Sequence, residues 1–288
     1  MYPTFAIVSP TGDRLELATD ARSSSPFHLD DETSGLGFVG REVQLVASSS
    51  DGGRLRASRA TSRSATLVVD VWGLNTEAMT DNLRRLAAAV RRIDGRPLPR
   101  LVATYADGTD YELPFVVEGG AENLKRKVSG GVQVVPLAVI APDPYWTARD
   151  ALTFPFGASS SSVPWLPNMA EMRLSSSSAK GDLIVDNPGE IEAWPTWRLV
   201  GPTSRATITM GAVSWSIGPL EAGEVATIDA RTRTVTMADG KNAYNRLGPA
   251  PRLFPLPPGS TSLAVTMADA TLVTSATCFF RPRMEVVI

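Results

Sequence analysis

The chain has 288 residues, enough for two cores of ordinary size, and its 43% hydrophobic and 20% charged residues form a globular balance that excludes global disorder. Lys and Arg total 28 against 30 Asp and Glu, so the net charge of -2 supplies no field to hold a polyanion, and a bound nucleic acid is not expected. The lone cysteine, Cys278, excludes an intrachain disulfide and a multi-cysteine zinc site; with no apolar run long enough for a bilayer and no secretion signal in MYPTFAIVSPTGDR, a soluble protein without membrane insertion, not exported by that route, is expected.

Short strands dominate the first half. Residues 64–73 (SATLVVDVWG), 98–119 (LPRLVATYADGTDYELPFVVEG) and 130–142 (GGVQVVPLAVIAP) are rich in Val, Leu, Thr and aromatics and are bounded by Gly or Pro. Asp107-Gly108 lies between two β-rich runs and can supply the positive φ of a tight turn, which predicts a hairpin.

One segment breaks the pattern. Over about residues 75–94, Met79, Leu83, Leu86, Val90 and Ile93 recur at four- and three-residue steps, the spacing of one helical face. Asn75 can cap its exposed N–H groups, Glu77 suits the positive end of the dipole, and Arg91 and Arg92 suit the negative end before Gly95. The stripe is expected to pack on the chain's own sheet.

After Trp146 the texture changes. Serine runs at 159–162 and 175–178, with Pro155, Pro164 and Pro167, read as long loops or a flexible connection, and they place a domain boundary nearby. Domains of 1–148 and 149–288 are expected. Beyond the serine runs come GDLIVDN, WPTWRLVG, ATITMGAVSWSIG, EVATIDARTRTVTMADG, STSLAVTMA and CFFRPRMEVVI, strands without a convincing helix, which argues for a β-sandwich. Asp239-Gly240 marks a second turn.

Catalytic groups are scarce. His28 is the one histidine, in a polar stretch expected to be a loop, so no Ser-His-Asp, Cys-His or His-based zinc set can be assembled without it. Asp30, Asp31 and Glu32 lack the alternation and turn glycine of a calcium loop and read as a solvated acidic turn. No phosphate-binding glycine motif occurs. Paired carboxylates for glycoside hydrolysis stay open, because only their spatial separation is diagnostic. Arg54, Arg56, Arg59 and Arg63 form a basic run expected to be a mobile loop between strands, with weak guidance of passing DNA as the lesser option. Trp194, Trp197 and Trp215 read as core or interface, or alternatively as a platform on which a sugar could stack. The expectation is no enzyme, with no catalytic, metal or cofactor site.

A family resemblance enters where the two halves join. Residues 134–156 (VVPLAVIAPDPYWTARDALTFPF) resemble the end of the N-terminal domain of siphophage distal tail (Dit) proteins, where an aromatic-rich Asp-Pro-Tyr-Trp follows a strand. DNPGEIEAWPTWRLVGP (186–202) is similar to the family's Asn-x-Gly, aromatic-Pro-x-aromatic and Gly-Pro signature. GEVATIDARTRTVTMADGKNAYNRL (223–247) and LFPLPPGSTSLAV (253–265) resemble its Ile-Asp strand, the following hairpin and the Leu-x-Pro-Gly turn. The likeness runs in order over residues 60–280, with a thinner match at 35–42. Each motif alone is ordinary β-punctuation, and their shared order carries the resemblance.

The resemblance implies a mainly β chain: an N-terminal split-barrel-like domain with one α-helix, and a C-terminal galectin-like β-sandwich. It also implies a structural minor tail protein of the baseplate, a homohexameric ring at the virion tail tip, assembled in the host cytoplasm. Its expected partners are copies of itself, the tail tube protein and the tail-associated hub or fibre protein, with DNA passing transiently through the channel. A carbohydrate-binding adhesion module and a cell-wall hydrolase are the alternatives.

Overall fold

The computed structural model describes residues 3–19, 24–48, 51–122, 131–157 and 179–287. The chain divides into two units, Met1–Arg149 with Met284–Ile288, and Asp150–Arg283. The serine runs and Pro164 and Pro167 lie outside the described residues.

In chain order the first unit contains β1 (Thr4–Val8), β2 (Arg14–Leu17), β3 (Phe27–Leu29), β4 (Arg41–Ala47), β5 (Gly53–Ala60), β6 (Arg63–Trp72), helix α1 (Thr76–Val90), β7 (Arg100–Thr104), β8 (Asp110–Pro114), β9 (Val116–Gly119), β10 (Val132–Ala141) and β11 (Trp146–Ala148). One sheet has the order β2-β1-β7-β8-β11, extended at its edge by the two-residue strand Arg283–Met284; a second has the order β3-β6-β10-β9. The alternation read in the sequence sets which side chains meet. Val69 lies opposite Val135, Leu67 opposite Leu137 and Ala65 opposite Val139, all on the inner face. Phe5, Ile7, Leu101 and Leu113 join the same core from the other sheet, and fully buried Trp146 lies 6.5 Å from Phe5. Each large apolar side chain so enclosed contributes about 1.5–3 kcal/mol of transfer free energy.

The predicted helix forms, but it is shorter than its apolar spacing suggested. Asn75 accepts from the Ala78 N–H and caps it, and Met79, Leu86 and Ala89 are buried, with Leu83 and Val90 packed beside them. Arg91 turns to an extended conformation, φ -70° and ψ 127°, so Arg91 and Arg92 fall outside the last turn and Ile93 outside the helix. A turn closed by the Arg96 N–H on the Ile93 carbonyl, with Gly95 at φ 75°, takes over there. Local turn geometry ends the helix before the apolar repeat does.

The hairpin expected at Asp107-Gly108 joins β7 to β8 in register. Gly108 has φ 85°, and the Asp107 carboxylate accepts from the Thr109 N–H.

The second unit contains β12 (Leu152–Gly157), β13 (Ala179–Asn187), β14 (Thr196–Val200), β15 (Arg205–Met210), β16 (Val213–Ile217), β17 (Val225–Asp229), β18 (Thr234–Met237), a single 3-10 turn at Tyr244–Arg246, β19 (Gly259–Ala268) and β20 (Ser275–Phe280), before β21 (Arg283–Met284). Its sheets have the orders β12-β20-β14-β17-β18 and β13-β19-β15-β16. Trp197, Ile228, Cys278 and Phe280 from the first meet Ile208, Trp215, Leu263 and Val265 from the second in one core. Pro155 sits on the edge strand β12, where a residue without an N–H is tolerated. At Asp239-Gly240 the chain turns, Gly240 donating to the Met237 carbonyl with φ 83°, and only a single bridge, Thr236 with Asn242, follows. The protein is thus mainly β with one α-helix among the described residues, and its sheets are open.

Candidate assembly surface

Two exposed features of the first unit stand out from its otherwise ordinary packing. The first is the outer face of the β3-β6-β10-β9 sheet. Inward residues of β6 and β10 are buried, so Trp72, Val132, Val134, Pro136, Ala138 and Ile140 point the other way. Trp72 is paired with Val132 across the two strands and is 50% exposed, as is Val134 one step along. Beside this apolar surface His28 lies opposite Asp70, which in turn lies opposite Val134. His28 is therefore on strand β3 and not in the loop that its polar surroundings suggested, because its neighbours Phe27 and Leu29 fill the core and commit the segment to a strand.

Asp70 carries an unusual electrostatic load. Its Oδ1 is buried with no hydrogen-bond partner among the described residues. Burial pushes its carboxyl above the ordinary carboxylate range, the negative charges of Asp30 and Glu32 push it further, and His28 opposes them. Asp30 to Glu32 form a turn in which the Asp30 carboxylate accepts from the Glu32 N–H at 2.7 Å. The acidic groups thus flank the apolar surface on its β3 side.

The second feature is the two-stranded sheet of β4 and β5, whose strands pack chiefly on each other. The arginine run was expected as a mobile loop; instead Arg54, Arg56 and Arg59 lie on β5. The pairing sorts the side chains only in part, since Arg41 shares the side of Val43 and Leu45 and the apolar Val46 shares that of Glu42. Val43 lies opposite Ser58 and Leu45 opposite Leu55, placing apolar residues on one side, whereas Glu42 pairs with Arg59 and Val46 with Arg54 on the other. Leu45 is 67% and Leu55 64% exposed, so the apolar side is open to solvent.

Arg63, last of the run, behaves oppositely. It is 3% exposed, donating from Nε to the Pro144 carbonyl at 2.7 Å, from Nη1 to those of Gly35 and Gly37 at 3.2 and 2.7 Å, and from Nη2 to that of Glu285 at 2.7 Å. Burial lowers its pKa, the nearby Glu285 charge opposing. It anchors the root of the hairpin. Nothing in the sequence distinguishes it from Arg59 except that it opens a strongly alternating apolar run.

In the second unit, Trp197 and Trp215 are buried in the core and Trp194 is half-buried, so the three indoles read as a sugar platform do not form an open one. A surface cleft of about 440 Å³ is lined by Glu224, Asp239, Lys241 and Arg246, but these charges are already paired, Glu224 with Arg246 at 2.6 Å and Asp239 with Lys241 at 2.7 Å. The Asn-x-Gly signature has a structural reason. Buried Asn187 donates to the carbonyls of Ile191, Leu256 and Pro257 and accepts from the Gly189 N–H, and any Cβ at Gly189 would meet the Arg283 backbone at 2.7 Å. Among the described residues no group of three or more His, Cys, Asp and Glu is placed to hold a metal ion.

No protein-family model and no curated protein matches the chain. Solved structures do. The Dit protein of phage SPP1, described as a paradigm of the hub adsorption apparatus of phages infecting Gram-positive bacteria, is 15% identical and superposes with a TM-score of 0.64 over 97% of this chain and 98% of its own. The baseplate of phage P2 in its activated conformation with Ca matches at 8% identity and a TM-score of 0.53 over 100% of both chains. The corresponding Sr structure matches at 10% identity and a TM-score of 0.51. Over essentially its whole length, then, the chain has the fold of the phage Dit hub protein and of a chain of the P2 baseplate.

Proposed function

We propose that the protein is a structural component of a phage tail tip, acting by self-assembly and not by chemistry. Copies form a ring, hexameric as the family resemblance implies, between the tail tube protein and the tail-associated hub or fibre protein, with a channel left for DNA. The observation that carries this reading is the correspondence of fold to the SPP1 hub protein across 97% of one chain and 98% of the other, which includes both units and not one widespread sandwich alone. The exposed amphipathic hairpin and the open apolar sheet face agree with it, since apolar patches of this kind mark sites of association. A nearly balanced charge suits a lumen through which DNA passes without being held. The location that follows is the virion tail tip, after assembly in the host cytoplasm. Light scattering of the purified protein together with negative-stain micrographs tests the proposal: rings are expected, and a strict monomer at high concentration, with or without tail partners, would refute it.

A further inference from the structure

The arm formed by β4 and β5 depends on its base. Its strands pack chiefly on each other, and an isolated two-stranded hairpin is marginal in water, so its order is set where it joins the rest of the first unit. One tie is local: the Thr61 N–H and Oγ1 donate to the Gly40 carbonyl at 3.0 and 3.1 Å, across the two feet of the arm. The other comes from far along the chain. Glu285 accepts the Val39 N–H on its Oε1 at 2.9 Å and the Arg63 Nη2 on its carbonyl at 2.7 Å. Val39 lies two residues before β4, and Arg63 opens β6 three residues after β5, so a single residue grips the feet of both strands.

Glu285 belongs to a short segment that returns from the second unit. The chain leaves the first unit at Arg149 and re-enters it at Met284. Val287 is 1% exposed within the core of the first unit, Met284 packs against that core, and the Val287 carbonyl accepts the Tyr105 hydroxyl at 3.1 Å just past β7. The negative charge of Glu285 also lies near the buried Arg63 guanidinium and favours its charged form there. Synthesis runs in one direction along the chain, so all of Asp150–Arg283 is made before any of these contacts can form.

We propose that residues 284–287 are a strap that closes the first unit, and that Glu285, by holding Val39 and Arg63, sets the order and direction of the β4–β5 arm. An ordered arm then exists only on a chain whose second unit has already been made. A chain cut short carries Val43, Leu45 and Leu55 on a frayed hairpin. The strap serves the arm whatever partner covers it, in a ring or otherwise.

Amide hydrogen exchange of the full chain, read separately over residues 41–60 and over the β6–β10 ladder, tests the strap. Glu285→Ala is expected to speed exchange in the arm about tenfold or more, with a smaller change in the ladder, because the arm opens locally. Glu285→Gln keeps an oxygen for the Val39 N–H and should hold arm exchange within about threefold of wild type. Leu15→Ala supplies the contrast. Leu15 is buried in the same core, on β2 at the sheet edge opposite β21, so its truncation should speed the ladder and leave the arm unchanged. Deleting residues 284–288 should strip protection from the arm while the β13–β19 ladder of the second unit keeps its own. Arm exchange that stays at the wild-type rate in Glu285→Ala or in the deleted chain overturns the proposal. So does a Leu15→Ala variant that loosens the arm as much as Glu285→Ala, because general loss of stability then accounts for the effect.

Discussion

The indoles of Trp197 on β14 and Trp215 on β16 meet edge to face, centroids 5.9 Å apart and planes inclined by 69°, and so tie the two sheets of the second unit together. Truncating Trp197→Ala is expected to cost about 3–5 kcal/mol through lost burial and the cavity left behind. The second unit's thermal midpoint should fall by roughly 10–20 °C. Trp197→Phe should cost much less, because the Trp197 Nε1 has no hydrogen-bond partner to lose among the described residues. Scanning calorimetry of both variants checks this, and equal losses would show that the indole N–H matters more than the packing.

Arg63 is expected to resist conservative replacement. Its guanidinium fork reaches four carbonyls in different directions, which one ammonium cannot do, so Arg63→Lys should destabilise the protein by about 3 kcal/mol and leave carbonyls unsatisfied. Urea unfolding measures it. A loss below about 1 kcal/mol would mean that water replaces the missing donors.

The Glu224–Arg246 pair should give a small acid-sensitive contribution. The Arg246 hydrogen bonds, helped by the Glu221 N–H, hold the Glu224 carboxyl below its ordinary range. For a group depressed on folding, stability is present above the unfolded carboxyl pKa, near about 4.3, and is lost as the pH falls through the lower folded value. Both side chains are about one-third exposed, 33% and 29%, so solvent screening keeps the effect small. Glu224→Gln should cost about 0.5–1 kcal/mol at neutral pH, with the difference from wild type vanishing in strong acid. Denaturation curves across that range would reject the assignment if the gap were independent of pH.

Asp70 has the opposite sign. Its carboxyl is raised by burial and by Asp30 and Glu32, so its unfavourable charge is felt above the unfolded carboxylate pKa and disappears as the pH falls and the acid protonates. In the isolated subunit Asp70→Asn should raise the thermal midpoint at neutral pH and leave it unchanged in acid. A lowered midpoint at neutral pH would show that the charge is compensated in the free chain.

Cys278 is fully buried, and burial pushes its thiol up to about 12, so neither access nor thiolate favours reaction. A soluble disulfide reagent at mildly alkaline pH should leave it unmodified in the folded protein and modify it completely in denaturant. Rapid native labelling would mean that the second unit opens far more readily than its packing implies.

Features whose cause is local were legible from the residues alone. Asn75 before an apolar stripe announces a capped helix, Asp107-Gly108 announces a tight turn, and alternating Val and Leu in β6 and β10 announce strands buried on one face; each depends on residues within a turn or two of each other. The order of the motifs also pointed to the phage distal tail fold before any coordinates. Tertiary structure alone decided the rest. Arg59 and Arg63 stand four residues apart in one basic run, yet one lies on an exposed arm and the other is buried among carbonyls from Gly35, Gly37, Pro144 and Glu285. His28 and Asp70 became neighbours, and β4 and β5 became strands, only through pairing. Backbone preference and apolar period are properties of adjacent residues, whereas burial and cross-strand partnership are set by segments distant along the chain, so a short stretch of sequence carries the former and not the latter.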